Sequence, residues 1–150
     1  MFHDFSFLTL RDTDAAGVTF FAAYFTLAHQ TYERYLYQKQ LGLQHWLNRV
    51  HLPIVHSDAS YKAPLFLGDP VCISMGTTKL GKRSFKLHYR FHAWQNEKWV
   101  WVADVSTTHV AVENKKAREL PTQLHQILEE LGEFNEQFEL PSPLTMTSSE

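Results

Sequence analysis

The 150-residue sequence contains a single cysteine, Cys72, which excludes an intrachain disulfide and any zinc site built on several thiolates. Long apolar runs are missing as well: nothing approaches the roughly eighteen residues that a membrane-crossing helix requires. The first residues, Met1-Phe2-His3-Asp4-Phe5-Ser6, have neither the basic start nor the apolar core of a signal peptide, so a cytoplasmic location is expected. Charge of one sign is not in excess. Fourteen Lys and Arg stand against sixteen Asp and Glu, a net charge of −2, so neither nucleic acid nor membrane is expected as a partner and any anion site must be local. There is no Gly-x-Ser-x-Gly elbow, no phosphate-cradling P-loop and no dinucleotide fingerprint, which removes the serine-hydrolase, NTPase and Rossmann routes.

What the chain has in quantity is aromatic side chains, 14% of residues with eleven Phe, six Tyr and four Trp, in a composition that is 44% hydrophobic. At this length one domain is expected, residues 1–140, followed by a Pro- and Ser-rich tail at 141–150 that reads as disordered. Residues 2–10 suit a first strand, closed by the polar loop Arg11-Asp12-Thr13-Asp14-Ala15-Ala16-Gly17. From about residue 20 to 40 the period becomes helical. Phe21, Phe25, Ala28, Tyr32, Tyr35 and Leu36 recur at spacings of three and four, with Gly42 as the stop.

Beyond residue 52 the period changes to two. Strands are expected at 52–61, 71–80, 84–94 and 99–112, with turns at Gly81 and at residues 95–98. In the third of these, Phe85, Leu87, Tyr89 and Phe91 take one face while Lys86, His88, Arg90 and His92 take the other. A short amphipathic helix follows at 121–131, with Pro121 near its start and Gly132 at its end. The implied fold is α+β, an antiparallel five-stranded sheet around one long helix. One helix cannot cover such a sheet and guard both of its edges, so pairing with a second copy is expected.

The segment 12–17 is the most informative for chemistry. It sets carboxylates just ahead of a long helix, where unsatisfied backbone N–H groups and the positive end of the dipole gather. A carbonyl bound against those N–H groups would be polarised while Asp14 approached its carbon. The plainer alternative is that both Asp12 and Asp14 cap a turn. Among the nine histidines, His88 and His92 share a strand face, but no cysteine or paired carboxylate completes a zinc set, so no metal is expected. Cys72, between Val71 and Ile73, reads as a small buried hydrophobe.

The run Asp12-Thr13-Asp14-Ala15-Ala16-Gly17-Val18-Thr19-Phe20-Phe21 resembles the signature of hotdog-fold thioesterases of the 4-hydroxybenzoyl-CoA thioesterase type. Tyr61-Lys62-Ala63-Pro64 followed by Gly68-Asp69 is similar to that family's second block. The resemblance, over about residues 5–120, implies a single-domain hotdog fold and hydrolysis of acyl-CoA thioesters without a cofactor. It also implies Asp14 as the catalytic carboxylate and the Phe21 backbone N–H as the donor to the thioester carbonyl. Dimers, or tetramers made of two dimers, with active sites between subunits are implied too. The sequence departs from the family in having Phe20-Phe21-Ala22-Ala23-Tyr24 where relatives carry Tyr or His and Asn. That change touches the pocket lining more than a backbone donor.

Residues 28–36, 52–56 and 107–110 are further similar to the group within this family that hydrolyses 1,4-dihydroxy-2-naphthoyl-CoA on the way to phylloquinone. The basic cluster Lys79, Lys82 and Arg83 beside Gly81 is implied as the site for coenzyme A phosphates, and a solvated turn is the alternative. His56 is a candidate for the acyl pocket. Two other functions stay open on sequence grounds: a broad acyl-CoA thioesterase for 4-hydroxybenzoyl or fatty acyl groups, and a non-catalytic acyl-CoA-binding hotdog protein. Acyl-carrier-protein thioesters also remain open as substrates.

Overall fold

The computed structural model describes residues 1–39 and 50–143. The expected helix stop at Gly42 lies outside the described residues. Strand β1 (Phe2–Phe7) leads through a 3-10 turn (Leu10–Asp12) to helix α1 (Ala23–Gln38), and strands β2 (Ile54–Tyr61), β3 (Pro70–Leu80), β4 (Ser84–Gln95) and β5 (Lys98–Val110) follow. A two-residue ladder joins β6 (Val112–Glu113) to β7 (Lys116–Ala117), and helix α2 (Thr122–Leu131) comes last. The five long strands form one sheet in the order β1-β3-β4-β5-β2, with every pairing antiparallel.

The period-two pattern of β4 explains how the sheet meets its helix. Phe85, Leu87, Tyr89 and Phe91 are fully buried beneath α1 together with Val71, Ile73 and Met75 of β3. Removing each of these large side chains from water is worth about 1.5–3 kcal/mol. The β4–β5 turn sits where the sequence placed it. Asn96 and Glu97 both adopt positive φ, 52° and 62°, the conformation that a two-residue hairpin turn demands.

The helix differs from its expected form in where it starts. It begins at Ala23, and the side chains it buries are Tyr24, Leu27, Ala28, Thr31, Tyr32, Tyr35 and Leu36. Phe21 lies ahead of it with 71% of its surface exposed, and Phe25 is half-buried. The expected stripe otherwise stands: Ala28, Tyr32, Tyr35 and Leu36 are buried and Phe25 packs against the core, so only Phe21, ahead of the helix, leaves it.

Helix α2 closes one end of the sandwich. Its Leu124, Ile127, Leu128 and Leu131 enter the core, and the Tyr35 hydroxyl of α1 donates to the Ile127 carbonyl. Gly132, at φ +79°, then turns the chain onto the outer face of the sheet. The described residues extend to 143 of the expected tail, where Trp99 Nε1 donates to the Pro141 carbonyl at 2.8 Å. Residues 144–150 of that tail lie outside the described residues. No helix among the described residues is long and apolar enough to cross a membrane.

Candidate active site

The loop between β1 and α1 is pinned on both sides by backbone hydrogen bonds. Thr19 N–H donates to the Leu65 carbonyl at 2.8 Å, and Leu67 N–H donates to the Gly17 carbonyl at 2.9 Å. Gly17 is at φ +77°, where a side chain would be strained, which is why the polar loop ends in glycine.

The two aspartates of this loop have separated roles. Asp12 is 6% exposed, and its Oδ2 accepts a 2.8 Å hydrogen bond from the Thr9 hydroxyl, which fixes the 3-10 turn. Asp14 is exposed. Its Oδ1 accepts the N–H of Ala16 at 2.8 Å and of Val18 at 3.3 Å, so one oxygen anchors the carboxylate to the loop. Its Oδ2 has no partner among the described residues. Asp14 therefore serves the turn through Oδ1 and leaves Oδ2 free, while Asp12 is buried and bonded within the 3-10 turn.

Val18, bonded to Asp14, forms one wall of a cleft of about 330 Å³. Phe21, Tyr24, Tyr61, Ala63 and Pro64 form much of the rest. The Tyr61 hydroxyl donates to the Phe21 carbonyl at 3.1 Å, and its ring meets Tyr24 edge-on at 5.0 Å. Burial pushes the Tyr24 hydroxyl up to about 12, so it stays protonated. Tyr61 thus holds the peptide after Phe21, and the Phe21 N–H itself donates to no acceptor among the described residues. The carbonyl of Val102 accepts both Lys62 N–H, at 2.8 Å, and Ala63 N–H, at 3.2 Å, and so bends the chain after β2 into the cleft wall. Sequence reasoning had quoted the Tyr61 segment only as a family block. Its part in holding Phe21 depends on a contact across forty residues, which no local pattern carries.

The other candidates lie elsewhere. Phe7 pairs with Pro70, which puts the Asp14 loop at the Pro70 end of β3. Lys79, Lys82 and Arg83 are exposed at the opposite end of that eleven-residue strand. At ~3.3 Å per residue the separation is about 35 Å. Within one chain they cannot share the cleft. Lys79 and Lys82 border two separate clefts, of about 280 and 400 Å³, on either side of Glu129. His56 stands exposed on edge strand β2, 3.2 Å from Asp58. Asp58 in turn accepts from Ser106, whose cross-strand partner is His88 on the outer face, so His56 shares that face rather than the one toward α1. No cluster of three or more metal-ligating side chains occurs among the described residues. Cys72 is fully buried, and burial pushes its thiol up to about 12, as suits an inert side chain.

Comparison with known proteins places this architecture. The pattern of the thioesterase-like superfamily matches residues 8–129. The 1,4-dihydroxy-2-naphthoyl-CoA hydrolase of Crocosphaera subtropica is 34% identical over 110 residues, covering 72% of this chain and 79% of that protein. Its counterpart in Nostoc punctiforme is 33% identical over 123 residues, covering 79% and 80%. The crystal structure of a 1,4-dihydroxy-2-naphthoyl-CoA thioesterase from Synechocystis superposes with a TM-score of 0.79 at 26% identity, over 87% of this chain and 96% of that one. The chain belongs to the thioesterase-like superfamily and is a hotdog-fold thioester hydrolase.

Proposed function

We propose that the chain hydrolyses 1,4-dihydroxy-2-naphthoyl-CoA to the free acid and coenzyme A, in phylloquinone biosynthesis, with Asp14 as nucleophile or general base. The observation that carries this reading is an Asp14 Oδ2 without a partner among the described residues, on the loop whose Val18 walls the cleft that Phe21, with its own free N–H, also lines. The names of the Crocosphaera and Nostoc relatives support the choice of acyl group.

In the base route, Asp14 Oδ2 takes a proton from water and the hydroxide adds to the thioester carbon. The carbonyl oxygen gains the negative charge and the Phe21 N–H stabilises it. Collapse breaks the carbon–sulfur bond, and the coenzyme A thiolate leaves and takes up a proton. In the nucleophilic route, Oδ2 adds directly to the thioester carbon, and the carbon–sulfur bond of that adduct breaks to release the thiolate and leave a mixed anhydride. Water then hydrolyses the anhydride to the free acid and the Asp14 carboxylate. Both routes need Oδ1 held and Oδ2 free.

A second copy completes the site. Phe21 is 71% exposed, and edge strand β2 leaves Ile54, Val55 and Tyr61 in solvent at 42%, 61% and 47%. An edge of this kind is a template for pairing, and a homodimer, alone or paired into a tetramer, covers it. Pairing also offers the distant Lys79, Lys82 and Arg83 of one subunit to the coenzyme A phosphates held by the other, and brings His56 to the interface.

Steady-state hydrolysis of a small acyl-CoA panel tests the assignment. A pocket built for a bicyclic ring gives kcat/KM roughly ten- to a hundredfold higher for 1,4-dihydroxy-2-naphthoyl-CoA than for benzoyl-CoA or palmitoyl-CoA. A preference for palmitoyl-CoA overturns the naphthoyl assignment and leaves a broad thioesterase. Hydrolysis of none of them leaves a binding protein.

A further inference from the structure

The outer face of the sheet, away from α1, carries a titratable cluster that the hydrolytic reading does not use. Cys72 and Ser74 of β3, His88, Arg90 and His92 of β4, and His3 of β1 are neighbours there by register. The segment after α2 lies across them. Phe134 N–H donates to the Thr77 carbonyl at 2.8 Å, and Thr77 N–H donates to the Gly132 carbonyl at 2.9 Å. Phe134 runs so close to β3 that a Cβ on Gly76 would meet its Cα and N at 2.7 Å. The segment's two rings rest on imidazoles, Phe134 on His88 at 4.4 Å, and Phe138 on His3 at 5.2 Å and on His92 at 5.7 Å.

We propose that residues 132–141 are a detachable strap, released from the outer face of the sheet when mild acid charges His3 and His92 beneath Phe138. Every element around the cluster contributes a charge or a titratable group. Strand β4 brings Arg90, whose guanidinium bonds Asp104 of β5 at 2.9 and 3.2 Å and reaches Glu136 of the strap at 3.4 Å. His88 lies 3.5 Å from the same Asp104. Strand β1 brings His3, bonded to the Ser74 hydroxyl at 2.7 Å, and the chain's amino group, bonded to the Leu131 carbonyl. Lys62 sits over Trp101 at 4.1 Å, with Arg90 on the same ring at 3.6 Å. Strand β3 contributes Cys72.

The strap therefore covers imidazoles in a neighbourhood already rich in cations. Burial, and then Arg90, pushes His92 down to about 4, and burial followed by the amino terminus lowers His3. His92 Nδ1 is buried with no partner to share a proton. A base whose pKa is depressed in the docked state favours docking fully above its ordinary value of 6.5, and loses that preference as pH falls toward 4. Arg90 and His3 stay on the sheet when the strap leaves, so from His92 the open fraction rises several-fold between pH 7.5 and pH 5, with roughly thirtyfold as the ceiling.

Cys72 reports this opening, because it is the only cysteine and is fully buried on the strapped face. The test is the rate of Cys72 modification by 4,4′-dithiodipyridine in the full-length protein, divided by the rate of a free thiol at the same pH. The wild type reacts several-fold faster at pH 5 than at pH 7.5, with its far-ultraviolet circular dichroism unchanged. His92→Phe, which keeps a ring against Phe138 and cannot take a proton, loses most of that acceleration. Phe138→Ala, which unfastens the strap without acid, reacts faster than the wild type already at pH 7.5. A wild-type rate that is flat with pH overturns the proposal. So does a His92→Phe variant accelerated as much as the wild type, or a Phe138→Ala variant as slow as the wild type at pH 7.5.

Discussion

Asp12 and Asp14 stand in one loop, and the division of labour between them can be measured without any substrate. Replacing Asp12 with alanine removes the acceptor of the 2.8 Å bond from Thr9, at a residue only 6% exposed, and leaves the Thr9 hydroxyl unpaired. A hydrogen bond to a charged group contributes about 1.5–3 kcal/mol to stability. For a domain of this size each kcal/mol moves the melting temperature by about 2–4 °C, so the variant should melt about 3–12 °C below the wild type. Asp14→Asn keeps an oxygen acceptor for Ala16 and Val18 and changes only the exposed, unpartnered end of the side chain. It should melt with the wild type. Differential scanning calorimetry of the three proteins at neutral pH gives the answer. Equal melting of the wild type and Asp12→Ala, or a larger loss at Asp14→Asn, would refute the assignment of Asp12 to structure and Asp14 to chemistry.

Two further outcomes follow from the distances. Changing Lys82 and Arg83 together to alanine should raise KM several-fold with kcat nearly intact, and the difference should shrink in high salt because exposed charge contacts are screened. Identical kinetics at low salt would return these residues to a solvated turn. Dilution below the dimer dissociation constant, followed by analytical ultracentrifugation and activity per subunit, should cost most of the activity, since the exposed Phe21 and edge strand β2 are left uncovered. A fully active monomer would contradict the shared site.

The alternation of β4 was legible in the sequence because one face of that strand meets the core from Phe85 to Phe91. The start of α1 was less so. Phe21 fits the helical period as well as the buried Tyr24 and Leu27 do, and hydrophobicity alone does not separate a residue facing the core from one facing a cleft or a partner. Asp14 was readable from a short motif. Its distinction from Asp12 was not, because that rests on the Thr9 hydroxyl and on burial. The basic cluster was readable as a cluster, but its distance from Asp14 was not, because the antiparallel register sets it at the far end of β3. The strap left little signal: residues 133–141 have no regular period, and the contacts that hold them reach back to Gly76, Arg90 and Trp99.

The most direct test of the central claim is the turnover of 1,4-dihydroxy-2-naphthoyl-CoA by Asp14→Asn beside the wild type. The amide keeps the loop bonds and removes the anionic oxygen, so kcat should fall on the order of a thousandfold or more, about 4 kcal/mol of transition-state stabilisation. Substrate binding by the folded variant, measured by calorimetry, should stay within several-fold of the wild type. A folded Asp14→Asn protein that keeps most of the wild-type rate would contradict the account and remove this carboxylate from the mechanism.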